Sequence, residues 1–298
     1  MKQTILIAGG TGLIGTEMVK HLSSKGYTVR VLSRNKEKTP NSDVFYWNPA
    51  IKEIDEKALK GVTTIINLAG AGIADKKWTA ARKEELINSR VIPAQFIASF
   101  AHKIDTLQQY ISASGINAYG YDDYDKVYQE SDPFGKDFLS SVVQQWEESA
   151  DLLKPFAKVT KIRIAVVLAK EGGALPKISN TVKYYVGAPL GSGKQWMPWV
   201  SQHDVIRIFE HAMEHQLEGA YNALAQAQTN KEVTQEIARV LKKPLWLPNV
   251  PAFVLKIALG EMASVVLDGL NADNSKLIQT GFKFEHASLE VALKEYLV

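Results

Sequence analysis

The chain contains no cysteine. That removes disulfides, thiolate nucleophiles and cysteine-ligated metals from consideration, and it fits a reducing compartment such as the cytoplasm. Net charge is also scarce: 35 Lys and Arg against 32 Asp and Glu leave a formal +3 over 298 residues. No Lys/Arg block carries interleaved aromatics, so no nucleic-acid partner is expected. No apolar run approaches the ~20 residues that a membrane helix requires, so no membrane partner is expected. The run after Lys2 is short and leads into a glycine turn, which does not read as a signal peptide. Metal patterns are missing too. His211 and His215 stand four apart without the H-E-x-x-H order. The acidic stretch Tyr121 to Asp132, with Asp122, Asp123, Asp125, Glu130 and Asp132, lacks the spacing of a calcium loop. Gly191-Ser192-Gly193-Lys194 lacks the full phosphate-loop pattern and no helix follows it, so that reading is rejected.

What remains is 46% hydrophobic and 22% charged, enough for a substantial core in one large domain or two modest ones. The organising stretch comes first. Thr4-Ile5-Leu6-Ile7-Ala8 reads as a strand, Gly9-Gly10-Thr11-Gly12-Leu13-Ile14-Gly15 as a turn, and Thr16 onward as a helix. Glycines at 9, 12 and 15 let backbone approach a pyrophosphate closely, aim a helix N-terminus at it, and pack that helix on the strand. Just beyond the second strand, Tyr27 to Leu32, stand Ser33 and Arg34. A dinucleotide site selective for NAD places an acid there; a small residue and an Arg suit a 2′-phosphate, which points to NADP(H). A fourth strand closes on Asn67-Leu68-Ala69-Gly70, whose small residues leave room for ribose and nicotinamide.

Further strands are expected at Val44 to Trp47, Tyr110 to Ser114, Lys161 to Leu168 and Tyr221 to Leu224. Helices are expected at Ile54 to Leu59, Trp78 to Ala101 with a kink or break at Pro93, Phe138 to Leu153, Ile178 to Tyr185, Val205 to His215, Lys231 to Leu241, Phe253 to Leu267 and Leu289 to Leu297. Strand and helix alternate six times before residue 168, which gives an α/β fold: a Rossmann-type doubly wound parallel sheet. Residues 1–168, with returning segments 201–225, would form the NADP-binding domain. Residues 169–200 and 226–298 would form a smaller, mostly helical substrate-side domain. Trp196 and Trp199 are read there as cleft-lining, with core packing the equal alternative.

Taken together, the glycine turn, Asn67-Leu68-Ala69-Gly70 and Ser112-Ala113-Ser114 resemble the extended short-chain dehydrogenase/reductases, and in particular a sugar-nucleotide-epimerase-like branch. Trp78, Ile87-Asn88-Ser89-Arg90, Asp137-Phe138-Leu139 through Trp146-Glu147, Gly172-Gly173-Ala174, Gln195 to Trp199, Leu259-Gly260-Glu261, Gly281-Phe282 and Ala292-Leu293 extend the resemblance over nearly the whole chain. The resemblance implies a Ser after the fifth strand, matched by Ser114, and a Tyr-x-x-x-Lys on the next helix. Counting back from Glu147 puts Leu139 in the Tyr place and Val143 in the Lys place. No tyrosine in the chain has a Lys four residues later. Leucine and valine move no protons, so Ser114, Tyr119 and Tyr121 become the catalytic candidates, with Arg90 placed near the cofactor. Two functions follow. One is an NADP(H)-dependent oxidoreductase or epimerase acting on a small molecule, a nucleotide sugar or another carbonyl or alcohol. The other is an NADP(H)-binding sensor or interaction protein without turnover. Monomer and homodimer both stay open.

Overall fold

The central sheet follows from alternation along its strands. In β1 (Thr4–Ala8), Ile5 and Ile7 serve one face and Leu6 and Ala8 the other, and all four are fully buried. A strand buried on both faces belongs inside a parallel sheet covered by helices. The computed structural model describes residues 3–35, 43–121, 123 and 125–298; Asp122 of the acidic stretch lies outside them.

After β1 come α1 (Leu13–Ser24), β2 (Thr28–Ser33), β3 (Asp43–Asn48), β4 (Glu53–Ile54), β5 (Val62–Asn67), α2 (Ala80–Ala101) and β6 (Gln109–Gly115). Next are β7 (Val127–Tyr128), α3 (Phe138–Asp151), β8 (Lys158–Ile164), β9 (Val166–Leu168), α4 (Ala174–Lys183), β10 (Trp196–Ser201) and α5 (Gln202–Glu214). The chain finishes with β11 (Gly219–Ala223), β12 (Gln226–Thr229), α6 (Asn230–Val240), α7 (Ala252–Leu259), α8 (Ser264–Leu267), β13 (Asn271–Ala272), α9 (Ser275–Gln279) and α10 (Leu289–Leu297).

Eight strands form one sheet in the order β11-β8-β6-β5-β1-β2-β3-β4. Every pairing is parallel except that of the edge strand β4. The chain runs outward from β1 through β2 and β3, then returns to β5 on the other side of β1. That reversal opens a crevice beyond the carboxyl ends of β1 and β5. Helices α1 and α5 cover one face, where Met18, Leu22, Phe209 and Met213 join Ile5 and Ile7. Helix α2 covers the other, where Phe96, Ile97 and Phe100 join Leu6, Ile65 and Tyr110. This is the Rossmann-type doubly wound sheet. A smaller unit packs α4, α6 and α10 around the three-stranded sheet β12-β10-β9, with Leu168, Leu175, Trp199, Val233, Ile237 and Leu293 at its centre.

Several elements differ from the sequence reading, each for a local reason. Pro93 sits inside an unbroken α2, because the lost hydrogen bond is one among those of a 22-residue helix packed against the core. The apolar stretch 161–168 is two strands: the chain leaves the large sheet at Ala165, whose N–H donates to the Ala223 carbonyl, and joins the small one. Helix α4 starts at Ala174, just after Gly173 at φ +68, rather than at Ile178. The stretch 253–267 breaks at Gly260, φ +62, into α7, a 3-10 turn and α8. Only Glu56–Leu59 of the stretch 54–59 is helical, as a 3-10 turn capped by Asp55.

Candidate cofactor and catalytic site

The glycine turn sits at the crevice, and its three spaced glycines do different work. Gly9 adopts φ +80, and a Cβ there would lie 2.8 Å from the Leu68 carbonyl carbon, so the turn is pressed against the end of β5. A Cβ on Gly15 would lie 2.2 Å from the Gly9 carbonyl oxygen, so α1 packs directly on the turn. Gly12 is different. It is exposed and in ordinary extended backbone (φ −82, ψ 179), and a Cβ there would meet only the Gly9 oxygen, at 3.5 Å. The fold demands glycine at 9 and 15 but not at 12. Gly12 is also the N-cap of α1, with no side-chain cap, so the first-turn N–H groups of that helix face the space a larger residue 12 would fill. Thr11 and Leu13 are exposed beside it, Ile14 is half-buried, and Gly10 is buried against Val31.

At the end of β2, Ser33 Oγ donates to the Asn35 carbonyl (2.6 Å) and accepts from the Asn35 N–H (3.0 Å). The hydroxyl thus shapes its own turn and leaves Arg34 exposed at the strand end. At the end of β5, Asn67 is fully buried, donating to Tyr110 Oη (2.9 Å) and accepting from the Ala69 N–H (3.1 Å). Its work is to fold the Leu68-Ala69-Gly70 turn toward Gly9. Arg90 is likewise a support rather than a free cation. It donates to the Leu86 carbonyl (2.8 Å) and the Ala71 carbonyl (2.9 Å), and its guanidinium lies 5.0 Å from the Trp146 ring. Burial, with the charge of Arg82 added, lowers its pKa to about 10. Ser89 Oγ accepts from the Ala71 N–H and Arg82 donates to the Gly72 carbonyl, so α2 pins the whole turn that follows β5.

The catalytic candidates are mostly closed. Ser114 is buried and donates to Glu147 Oε1 (2.7 Å). Glu147 also receives both Nε (2.7 Å) and Nη2 (2.9 Å) of buried Arg163. Arg163 Nη1 donates to Tyr119 Oη (2.9 Å), and that hydroxyl donates to Asn222 Oδ1 (2.6 Å). Burial pushes the Tyr119 phenol up to about 12, and the Arg163 charge offsets this only in part. A proton carrier at neutral pH needs the opposite shift. Ser114 and Tyr119 thus stand in one hydrogen-bonded network with Glu147, Arg163 and Asn222. Tyr121 is half-buried, and its Oη accepts from Asn117 Nδ2 in the turn beyond β6. Leu139 and Val143 are buried, and a Cβ on Gly115 would lie 3.3 Å from Val143 Cγ2, so an apolar side chain stands against the strand end. Among the described residues, no group of three or more His, Asp or Glu could hold a metal.

One correction concerns the tryptophans. Trp199 is fully buried in the core of the smaller unit, its Nε1 donating to Gln228 Oε1 (2.9 Å). It lines no cleft. Both tryptophans lie in β10, three residues apart, and an odd spacing sends them to opposite faces. Trp196 is half-buried.

Sequence reasoning missed Glu147 and Arg163 as a pair. The signal was present: a carboxylate between the apolar positions of α3 and a cation set between two isoleucines in β8. The buried tyrosines carry a pH signature. Tyr110 and Tyr119 both have phenols raised from 10 to about 12. The unfolded chain loses these protons first, so the stability they confer is complete below pH 10 and is lost as pH rises from 10 to 12. Urea unfolding at pH 9 and pH 11 should show a drop of roughly 1–3 kcal/mol, and Tyr119→Phe should flatten part of it. Equal stability at both pH values would contradict the burial argument.

The geometry matches a known family. Residues 5–223 fit the model of the NAD dependent epimerase/dehydratase family. The chain belongs to that family. Residues 250–296 of this epimerase-family chain also match a domain of unknown function, DUF1731. An epimerase family protein from Arabidopsis thaliana, a chloroplastic SDR39U1 homolog, is 32% identical over 302 residues, covering 98% of this chain and 86% of its own. The human epimerase family protein SDR39U1 (isoform 2), crystallised with NADPH, superposes with a TM-score of 0.89 at 28% identity, covering 99% of both chains. The UDP-N-acetylglucosamine 4-epimerase from Bacillus cereus shares the fold at a TM-score of 0.81 and 17% identity. Among the described residues, no helix of this family member is long and apolar enough to cross a membrane.

Proposed function

We propose that this chain binds NADP(H) across its glycine turn and uses it in oxidoreductase or epimerase chemistry on a nucleotide sugar or a related carbonyl or alcohol. The observation that carries the reading is Gly12, a glycine the fold does not need, set at an uncapped helix N-terminus where a side chain would fill the space a pyrophosphate requires. The NADPH bound by the human relative supports it. When bound, the cofactor supplies a hydride donor or acceptor. The chain's own residues do the rest: α1 faces the phosphates, Arg34 forks onto a 2′-phosphate, and the pinned turn 68–72 holds open the space beside the ribose. Tyr121, with Asn117 hydrogen-bonded to its Oη in the turn beyond β6, is the candidate hydroxyl whose role in holding a proton the turnover assay below tests.

Arg34→Asp should weaken NADPH binding by about 1–3 kcal/mol, the scale of a charged hydrogen bond, and change NADH binding far less. Fluorescence titration with both nucleotides checks this, and equal affinities in the parent protein would refute the assignment of Arg34.

The second reading is NADP(H) binding without turnover, favoured by Leu139 and Val143 at the Tyr and Lys places and by the capture of Ser114 by Glu147. NADPH oxidation over a panel of carbonyl compounds and nucleotide sugars separates the two. Turnover that falls in Tyr121→Phe supports the first. Tight NADPH binding with no turnover on any compound supports the second, and absent binding overturns both.

A further inference from the structure

Two stretches of the smaller unit contain no acid at all. No Asp or Glu lies between Glu171 and Asp204, nor between Glu236 and Glu261. Together these stretches hold six lysines: Lys177, Lys183, Lys194, Lys242, Lys243 and Lys256. Though about sixty residues apart in sequence, the two are laced to each other. Gly191 N–H donates to the Val250 carbonyl and Val250 N–H to the Pro189 carbonyl, both at 2.9 Å, and Lys243 Nζ donates to Tyr185 Oη at 2.7 Å.

These two adjoining stretches expose large apolar side chains. Tyr184 and Ile257 are each 78% exposed, Trp246 66% and Phe253 65%. Helix α7, with the sequence Ala252-Phe253-Val254-Leu255-Lys256-Ile257-Ala258-Leu259, has no buried residue and packs chiefly against the 3-10 turn that follows it. An apolar helix left in water, beside exposed aromatics and lysines, marks an interaction surface. Of the acids that follow α7, Glu261 is paired with Lys83, and half-buried Asp268 faces Lys256, which leaves Lys183 and Lys242 without an acid in either stretch.

The chemistry of the occupant follows from the charge. A second copy of this chain docking through a two-fold axis would set the same acid-free, lysine-bearing patch against itself. A surface of clustered phosphates beneath which apolar groups can be buried meets both requirements. We infer that this face lies on an anionic lipid bilayer, with Tyr184, Trp246, Phe253 and Ile257 at the headgroup level and Lys183, Lys242 and Lys256 against the lipid phosphates. Lying on a bilayer is physically distinct from crossing one and needs no long helix. The inference stands independently of the cofactor reading.

Sedimentation of the full chain with vesicles tests it. Vesicles of phosphatidylcholine with about 30% phosphatidylglycerol should retain the protein at least about tenfold better than pure phosphatidylcholine, and about 0.5 M salt should release it. Phe253→Asp combined with Ile257→Asp should reduce retention by more than about tenfold without shifting the thermal midpoint, because both side chains are exposed. Failure to bind anionic vesicles, equal binding to neutral ones, or undiminished binding of the double variant would overturn the inference. So would light scattering that shows a dimer which the double variant dissociates, since that would give the face to a second copy.

Discussion

Gly12→Val should abolish NADPH binding while the thermal midpoint stays within about 2 °C of the parent protein. The expectation rests on the three glycines being unequal. Valine is at home in the extended backbone of residue 12, and its Cβ would touch only the Gly9 oxygen at ordinary contact distance. The fold loses only the modest preference of an N-cap for glycine over valine, whereas the branched side chain fills the space before the first-turn N–H groups of α1. Gly15→Ala is the contrasting control. Its Cβ would fall 2.2 Å from the Gly9 oxygen and 2.7 Å from the Gly10 Cα, both backbone atoms that cannot step aside. That variant should unfold at a visibly lower temperature. Differential scanning fluorimetry and NADPH titration on the two variants make the comparison. Parent-like affinity in Gly12→Val would show that the pyrophosphate sits elsewhere.

Glu147→Ala should lower stability by about 3–5 kcal/mol, the range for breaking a buried ion pair from one side. The carboxylate takes two hydrogen bonds from Arg163 and one from Ser114, and all three residues are buried. Its removal strands a guanidinium under β6 and β8, with Tyr119 as its remaining side-chain hydrogen-bond partner. The double variant Glu147→Leu/Arg163→Met should recover most of the loss, because replacing the pair with apolar volume removes the stranded charge. Urea titration at neutral pH measures both. An unchanged midpoint in Glu147→Ala would mean that the network contributes nothing net.

The first hundred residues were legible because their signals are local. Buried alternation in β1, the glycine spacing and the small residues after Asn67 each constrain a few neighbouring positions. What stayed hidden was non-local. Nothing between Lys161 and Leu168 announces that the chain changes sheets at Ala165, since no glycine, proline or turn residue interrupts the stretch. The absence of the Tyr and Lys pair could be counted, but the partner that captures Ser114 lies 33 residues away. Trp196 and Trp199 looked like one aromatic cluster until β10 gave them a strand's period of two. The glycine spacing showed that the turn was special, but only contact with Leu68 and Gly10 distinguishes the two glycines the backbone requires from the one it leaves free.

The passage of the chain between its two sheets has an engineering consequence. The last strand of the large sheet, β11, is reached only after the chain has built β9, β10 and α5, and it seals the edge of β8. The cofactor-holding part is thus not a cassette that could be lifted out at residue 168. A fragment cut there would carry β8 as a raw edge, open to pairing with other chains. Grafting a different version of the smaller unit onto this scaffold would have to splice at several junctions and return the chain each time.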